Sequence, residues 1–467
     1  MKNNLPEKLH FVGVGGIGMS GLAAAAKDLG INVTGSDRGA DRPENRTIIG
    51  ALRNQGIEIY PQDGSRFDAP QLPDTLVYST AIEEDNPDFV KSGGIPRLHR
   101  SGLLRHLLEI SGKYSIAITG SCGKSTVCCY LAEALENLSL DPAMLAGGLA
   151  KRFKNDIFAG NYRPGKGQHL VFEADESDKS LLNYGADYAI ILNIGTDHYD
   201  KSELAEMFGT FLKQIRRGAV LTEEVYEAVK AVIPQELDIK IASADASYLN
   251  ASCAITEYNS SPDGAFVRFS DNTSIRLPKP GRHMAINALC IKLMLEMLGV
   301  NPDAVNGALE RFSGVWRRDD FAGTTPGGAK VFDDYAHNPE KILSCLSGMR
   351  ERCAGKLIAI FQPHGYKPFG FMEEQLFEYM DKFLRPEDRF ILLEPFYAGG
   401  TSSFSPSAKE IHSKWQSRSA QPERFITLPD RDAVKTFINA NAVKGDIVTI
   451  MGARDNSLSD FAVQLCK

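Results

Sequence analysis

The sequence predicts an α/β protein built as three consecutive blocks, each a largely parallel sheet covered by helices. Three observations predict it. Apolar runs alternate with helix-patterned segments along all 467 residues. A strand-like run, a glycine-rich turn and an alanine-rich helical segment follow one another at residues 9–29. The order of strand, glycine turn and helix returns at residues 114–138. The domains implied are 1–112, 113–322 and 323–467.

Composition agrees with this class and removes others. Hydrophobic residues make up 43% and charged residues 24%, as in ordinary soluble globular proteins. That balance excludes disorder, collagen-like repeats and coiled coil. Fifty-two Lys plus Arg stand against 59 Asp plus Glu, for a net charge of −7. Nucleic acid held mainly by net charge is therefore not expected, because such binding needs many basic contacts to phosphate. Small phosphorylated ligands need only local positive potential and stay open. No run approaches the roughly 20 apolar residues that span a membrane. The start, Met1 to Lys8, lacks the apolar core of a signal peptide. The eight cysteines include no CxxC pair, so neither a zinc site nor a disulfide framework is indicated. The cytoplasm is the expected compartment.

The first block opens with the strand-like Leu9 to Val14. Gly13, Gly15 and Gly18 fit GxGxxG, and a helix-like segment from Met19 to Leu29 follows. A second strand, Ile31 to Thr34, ends near Asp37. This is a dinucleotide-binding layout, in which glycines admit close backbone approach and a helix N-terminus attracts a diphosphate. The loop alone also fits a tight structural turn.

In the second block the strand Tyr114 to Thr119 leads into Gly120-Ser121-Cys122-Gly123-Lys124-Ser125-Thr126. Backbone amides of such a loop cradle phosphates, the lysine reaches the terminal phosphates, and the hydroxyl can hold Mg²⁺. Ile118 stands where the usual eight-residue pattern has glycine, so the loop is the shorter GxxGKS form. By itself it also fits a glycine turn with an exposed lysine. Two later strand ends favour the phosphate reading. His169 to Phe172 runs into Glu173, Asp175, Glu176 and Asp178, hard oxygen ligands where a Mg²⁺–ATP site needs them. Tyr188 to Ile194 leads to Asp197 and His198. The bland readings are a solvated acidic turn and a structural histidine.

The third block follows Gly323 to Gly328, which reads as a hinge. Its apolar runs lie at 330–335, 357–362, 389–394, 424–427 and 446–451.

The ordered set of motifs resembles the Mur ligase family, ATP-dependent amide-forming enzymes of peptidoglycan synthesis. The motifs are Gly13 to Gly21, Gly35-Ser36-Asp37, Gly120-x-x-Gly123-Lys124-Ser125, Glu173 to Asp178, Asn193 with Asp197-His198, Asn287, Arg317-Arg318-x-Asp320, Asp333 to Pro339, Phe361 to His364, and Met451-Gly452-Ala453. The resemblance covers nearly the whole chain. It implies a Rossmann-like N-terminal domain for a UDP-sugar, a central P-loop domain for ATP, and a C-terminal Rossmann-like domain for an amino acid. Gly15, Gly16, Gly18, Ser36 and Asp37 would then lie near the UDP-sugar. Gly120, Gly123, Lys124, Ser125, Thr126 and Asn287 would bind ATP, with Arg318 and Asp334 on phosphates and ribose. Ser125 and Glu173 would hold one Mg²⁺ and His198 a second; Lys124, Glu173 and His198 would be catalytic. His337, His364 and Lys367 would face the amino acid. The implied reaction joins the carboxylate of UDP-N-acetylmuramate to an amino acid, L-alanine foremost, through an acyl phosphate. Alternatives are a related ligase using another amino acid or a preformed peptide, and a non-catalytic nucleotide-sugar-binding homologue. An NAD-dependent oxidoreductase would leave the second loop unexplained.

Three stretches depart from the family pattern. His364-Gly365-Tyr366-Lys367-Pro368 stands where the alanine-joining members read His-Arg-Phe-Thr-Arg, so both arginines are missing and Lys367 is the nearby cation. A lysine is a point charge without the bidentate fork of arginine. The arginines of Arg38 to Arg46 read either as diphosphate ligands or as an exposed loop. Finally, Ser121-Cys122 replaces the common Thr-His. A thiol at a helix start beside phosphate-binding amides is expected to react readily. Iodoacetamide should therefore label Cys122 quickly and Mg²⁺–ATP should protect it; equal rates with and without ATP would contradict the placement.

Overall fold

A computed structural model describes residues 6–195, 199–397 and 404–467. Three sheets carry the expected three-domain α/β architecture. They fall into two compact units. One comprises the chain up to Tyr258 with Phe266–Pro278 and His283–Trp316; the other comprises Asn259–Ala265, Lys279–Arg282 and Arg317–Lys467. Among the described residues, no helix is long and apolar enough to cross a membrane.

The first sheet holds β1 (Lys8–Val12), β2 (Asn32–Ser36), β3 (Glu58–Tyr60), β4 (Thr75–Tyr78) and β5 (Arg97–His99), in the order β3-β2-β1-β4-β5. All pairings are parallel. The chain leaves β1 for β2 on one side and later returns to β4 on the other. That reversal opens a crevice at the carboxyl end of β1, where ligands of such sheets bind.

Helix α1 (Ile17–Asp28) follows β1, and its residues from Met19 to Ala26 are all buried. A helix apolar on every side needs cover on every side. Here one side meets the first sheet and the other the second, since Asn161 donates to Ile17 O (2.6 Å) and Ser20 Oγ (2.8 Å), and Tyr162 Oη donates to Asp28 (2.8 Å). One apolar core runs from Leu9 and Phe11 through the alanines of α1 to Leu145 and Phe172. Small side chains let both layers approach this helix closely, which is why the first two sheets form one unit.

The second sheet has ten strands. Its middle is β6 (Tyr114–Thr119), paired in parallel with β9 (His169–Glu173) and β10 (Ala186–Ile191). Beyond β9 lie β7 (Ala143–Leu145) and β8 (Tyr162–Arg163); beyond β10 lie β11 (Ile215–Thr222), β12 (Asp238–Ser243), β13 (Cys253–Ser261), β14 (Gly264–Phe269) and β15 (Ser274–Leu277). The predicted strands at 169–174 and 188–194 are β9 and β10.

In the second unit the order is β16-β17-β21-β18-β19-β20. The strands are β16 (Asp320–Thr324), β17 (Lys330–Asp334), β18 (Leu357–Phe361), β19 (Arg389–Leu392), β20 (Phe425–Thr427) and β21 (Ile447–Met451). Every predicted apolar run of the third block becomes a strand. The expected hinge does not appear as a linker. Residues 323–328 close an antiparallel hairpin between β16 and β17, with Gly328 at φ +92°; Thr325 N donates to Ala329 O and Gly328 N to Thr325 O, both at 2.9 Å. Glycines mark turns and linkers alike, and here left-handed backbone at the hairpin turn explains Gly328.

Arg317 anchors this unit. Its buried guanidinium donates to Gly452 O (2.6 Å), Ala453 O (3.1 Å), Asp455 O (3.2 Å) and Asp333 Oδ1 (3.2 Å). It thereby ties the β17 end to the loop after β21. Replacing Arg317 by Met should cost the unit about 3–5 kcal/mol, the range for uncompensating a buried ion pair. Denaturant unfolding checks this, and a loss below about 1 kcal/mol would refute the anchoring role.

Candidate active site

The glycine loop at the β1 end is shaped by its neighbours on β2. Gly13 (φ +74°) and Val14 both donate to Ser36 O, at 2.9 and 3.0 Å. The Gly16 amide closes the loop on Gly13 O (3.2 Å), and no side chain caps the helix, so the first amides of α1 at Ile17 and Gly18 are left uncapped, as an anion site requires. Asp37 turns back into the loop. Its carboxylate accepts from Gly15 N (2.8 Å) and Gly39 N (2.7 Å). A Cβ on Gly15 would lie 2.7 Å from Asp37 Oδ2. The Ser36 hydroxyl is fully buried and donates to Asp88, beneath which His10 packs. Burial outweighs Asp88 and keeps the His10 ring neutral, its pKa lowered. Of the five residues expected at the UDP-sugar, Gly15, Gly16 and Gly18 form the loop and helix start. Ser36 and Asp37 instead direct their side chains to bracing it.

The second loop leaves β6 with Gly120 (φ +130°) and Gly123 (φ +89°), then enters α5 (Lys124–Asn137). A Cβ on Gly120 would stand 3.1 Å from the Leu192 and Asn193 amides, so only glycine fits. Asn193 clamps the loop: its amide accepts from Cys122 N (2.8 Å) and donates to Cys122 O (3.0 Å). Gly195 N adds a bond to Ser121 Oγ (2.8 Å). Lys124 Nζ donates to Gly120 O (2.8 Å) and lies within 3.0 Å of both oxygens of Glu176. Burial alone would lower the lysine pKa. Glu176, Asp175 and Glu173 reverse that and raise it. For Glu176 the direction is also upward, set first by burial.

Ser125, Glu173 and a Gly147–Gly148 turn meet beside this lysine. Glu173 Oε2 accepts from Gly147 N (2.7 Å), and a Cβ on Gly148 would come 3.1 Å from Ser125 Cβ. A hydroxyl and a carboxylate on opposite sides of a glycine turn are hard oxygen donors of the kind Mg²⁺ takes, with further positions left to phosphate and water. The donor set fits. Thr126 follows in the first turn of α5 and is partly buried. Asn287, in α8 (Arg282–Met297), is buried with its amide 3.7 Å from the Cβ position of Gly123. His198 lies outside the described residues.

Two features here had no sequence motif. Arg100, the first residue of α4 (Arg100–Ser111), donates from Nη2 to Asp175 (3.0 Å) and Asp178 (2.9 Å). Burial opposes its charge, but Asp178 and Asp175 outweigh it and raise its pKa. A cavity of about 240 Å³ also opens between Gly18 and Leu22 of α1, Arg100, and Gly147, Glu173 and Asp175.

In the second unit, Asp334 is buried at the β17 end and accepts from Asp319 N (2.7 Å) and Ala336 N (2.9 Å). Burial raises its pKa against the pull of Arg318, whose guanidinium lies 5.0 Å over the Tyr335 ring. His337 and His364 stand edge to face at 5.3 Å. His337 Nδ1 bonds Tyr335 O (2.9 Å). Lys367, in the first turn of α11 (Tyr366–Phe383), is exposed, while its neighbour Tyr366 is buried edge-on to Phe404 at 5.3 Å.

Residues 8–110 match the Mur ligase family catalytic domain, 118–294 the Mur ligase middle domain, and 317–454 the Mur ligase glutamate ligase domain. The chain is 31% identical to the UDP-N-acetylmuramate–L-alanine ligase of Chelativorans sp. over 98% of its own length and 97% of that protein. It is 32% identical to the corresponding ligase of Allorhizobium ampelinum, over 95% and 93%. The chain belongs to the Mur ligase family. Among solved structures, the UDP-N-acetylmuramate–alanine ligase of Thermotoga maritima superposes with a TM-score of 0.78 at 25% identity, covering 98% of each chain. A murein peptide ligase of Psychrobacter arcticus shares the fold at a TM-score of 0.71 and 21% identity, over 98% and 97%.

In this Mur ligase each of the two loops leads into a helix head that no side chain caps, and Lys124 stands among carboxylates beside the second. Such an arrangement stabilises phosphoryl transfer electrostatically and needs no protein nucleophile. The Gly147-Gly148 pair was visible in the sequence but belonged to no recognised pattern. Arg100 carried no signal except its charge.

His337 supplies a pH test. Burial foremost, then Lys341, hold its pKa down to about 3. The folded state thus binds fewer protons than the unfolded state between about pH 3 and the ordinary His value near 6.5. Stability contributed by the neutral ring is present above about pH 6.5 and is lost on acidification through that window, by up to roughly 1.4 kcal/mol per pH unit. His337→Gln should flatten the slope of unfolding free energy between pH 4 and 6.5. An unchanged slope would exclude this burial effect.

Proposed function

We propose that this Mur ligase joins the carboxylate of UDP-N-acetylmuramate to the amine of L-alanine, converting ATP to ADP and phosphate. The observation that carries it is the single cavity onto which both the head of α1 and the Glu173 strand end open. A donor held by its diphosphate at the first loop can extend its acid end through this cavity toward the second. Near-full-length identity to ligases of that name supports the substrate pair.

The division of labour follows the three sheets: residues 1–112 for the donor, 113–322 for ATP and 323–467 for the acceptor. The donor sits with its diphosphate against the glycine loop of Gly15 and Gly16 and on the uncapped first amides of α1 at Ile17 and Gly18. Gly120, Gly123 and Thr126 wrap the ATP phosphates, Asn287 lies by the base, and Lys124 offsets charge on the γ-phosphoryl group. Ser125 and Glu173 hold Mg²⁺, which supplies charge neutralisation at the transferring phosphoryl group, with His198 assigned to a second ion. The carboxylate attacks phosphorus and ADP leaves, so phosphate becomes the later leaving group in place of oxide. The amine then attacks the acyl carbon, and phosphate departs as the amide forms. Arg318 and Asp334 are assigned to phosphate and ribose, and His337, His364 and Lys367 to the amino acid.

One observation favours a second reading of the acceptor. His364-Gly365-Tyr366-Lys367-Pro368 lacks both arginines of the alanine-joining pattern, so another amino acid or a preformed peptide is the alternative. The test is phosphate release with ATP, Mg²⁺ and UDP-N-acetylmuramate across a panel of amino acids and peptides. Release dependent on L-alanine is expected, falling by at least about 10³-fold in Lys124→Ala, the scale of losing one transition-state donor or more. Dependence on a different acceptor would replace alanine, and no release with any acceptor would overturn the ligase reading.

A further inference from the structure

We propose that Arg100 is the side chain that grips the acid end of the sugar-nucleotide donor, in the cavity between α1 and Glu173. This rests on the ligase reading above and adds a residue to it.

The cavity, about 240 Å³, is smaller than the roughly 300–1,000 Å³ that encloses a whole drug-sized ligand. It suits one end of a donor whose diphosphate lies outside, on the loop. Its walls are of two kinds. Leu22, Leu104 and Leu145 give it an apolar side, matching a short alkyl group between sugar and acid. Glu173 and Asp175 give it a negative side, which would repel an incoming carboxylate. Arg100 is the cation in the lining. No other side chain in the lining is cationic.

The guanidinium is aimed for this task. Nη2 holds Asp175 at 3.0 Å and Asp178 at 2.9 Å, which fixes the plane of the group. Among the described residues, Nε and Nη1 have no hydrogen-bond partner, and Nη1 lies 3.6 Å from the Cβ position of Gly18. Nη1 therefore faces the head of α1, where the donor enters. Arginine presents its donors as a planar fork that matches a carboxylate. The side chain is 24% exposed, so the pair is only partly screened by solvent. The bland alternative is a staple between α4 and the acidic run. A staple would not sense whether a ligand carries a carboxylate.

That difference sets the experiment. Calorimetric affinities of UDP-N-acetylmuramate and UDP-N-acetylglucosamine, which lacks the lactyl carboxylate, are compared on the full chain. The wild type should prefer the muramate. Arg100→Ala should weaken muramate binding at least 10-fold and leave the glucosamine nucleotide unchanged. Arg100→Lys keeps the charge and the fold but loses the fork, and should fall between them. Asp178→Asn, which loosens the staple alone, should keep the preference. A preference unaltered in both Arg100 variants overturns the proposal, as does equal loss of both nucleotides in Arg100→Ala and Asp178→Asn. A wild type that binds neither nucleotide points instead to failure of the ligase reading.

Discussion

One part-buried lysine among carboxylates, Lys124, is the constraint on which the rest of the site depends. Lys124 lies beside Glu176 with Glu173 and Asp175 close behind, and each of them raises its pKa. Gathering that much negative charge at a strand end is unfavourable unless cations answer it. The chain supplies two, Lys124 and Arg100, against Glu173, Asp175, Glu176 and Asp178. In the function proposed, Mg²⁺ arriving with a nucleotide would fill the shortfall. An acidic protein can thus bind two polyanions, because its positive potential is confined to loop amides, helix heads and these two side chains.

The fold is arranged to bring those sources together. Each glycine loop sits where a parallel sheet reverses its strand order, β1 between β2 and β4, β6 between β9 and β10. The helices leaving the loops, α1 and α5, begin with amides that no side chain caps. What joins the two crevices is α1 itself, whose alanines let the first and second sheets close on it from both sides. The same helix whose head would take a diphosphate in the proposed function lines, at Gly18 and Leu22, the cavity shared with Glu173. Packing and function use different faces of one short helix.

Much of this was legible in the sequence, for identifiable reasons. Strands, loops and following helices were readable because apolar periodicity and glycine spacing are local. The order of the motifs gave the family. Less legible was what side chains do once the sheets are assembled. Ser36 and Asp37 follow β2 as a nucleotide-contacting pair would, yet one bonds Asp88 and the other Gly15 and Gly39. Alternation along a strand cannot say which neighbour a polar group will meet. Arg100 escaped notice because its partners lie 75 and 78 residues away. β16 read as part of a hinge because it is five residues long and interrupted by a glycine bulge.

The acceptor end poses the remaining physical problem. In the function proposed, an amino acid would bring a carboxylate to a site where the alanine-joining pattern places two arginines and this chain has Gly365 and Pro368. Lys367 is exposed at the head of α11, and a flexible ammonium there gives attraction without a fixed fork. A helix head is itself a source of positive potential, and α11 begins at Tyr366 with no side chain capping Gly365. The first amides of α11 can therefore take over part of what the arginines did, with backbone N–H groups fixed in direction where a lysine is not. On that view the loss of both arginines changes how a carboxylate is held more than whether it is held. In the function proposed, the side-chain end of the acceptor would then fall to the buried aromatic surface of Tyr366 and to the paired rings of His337 and His364.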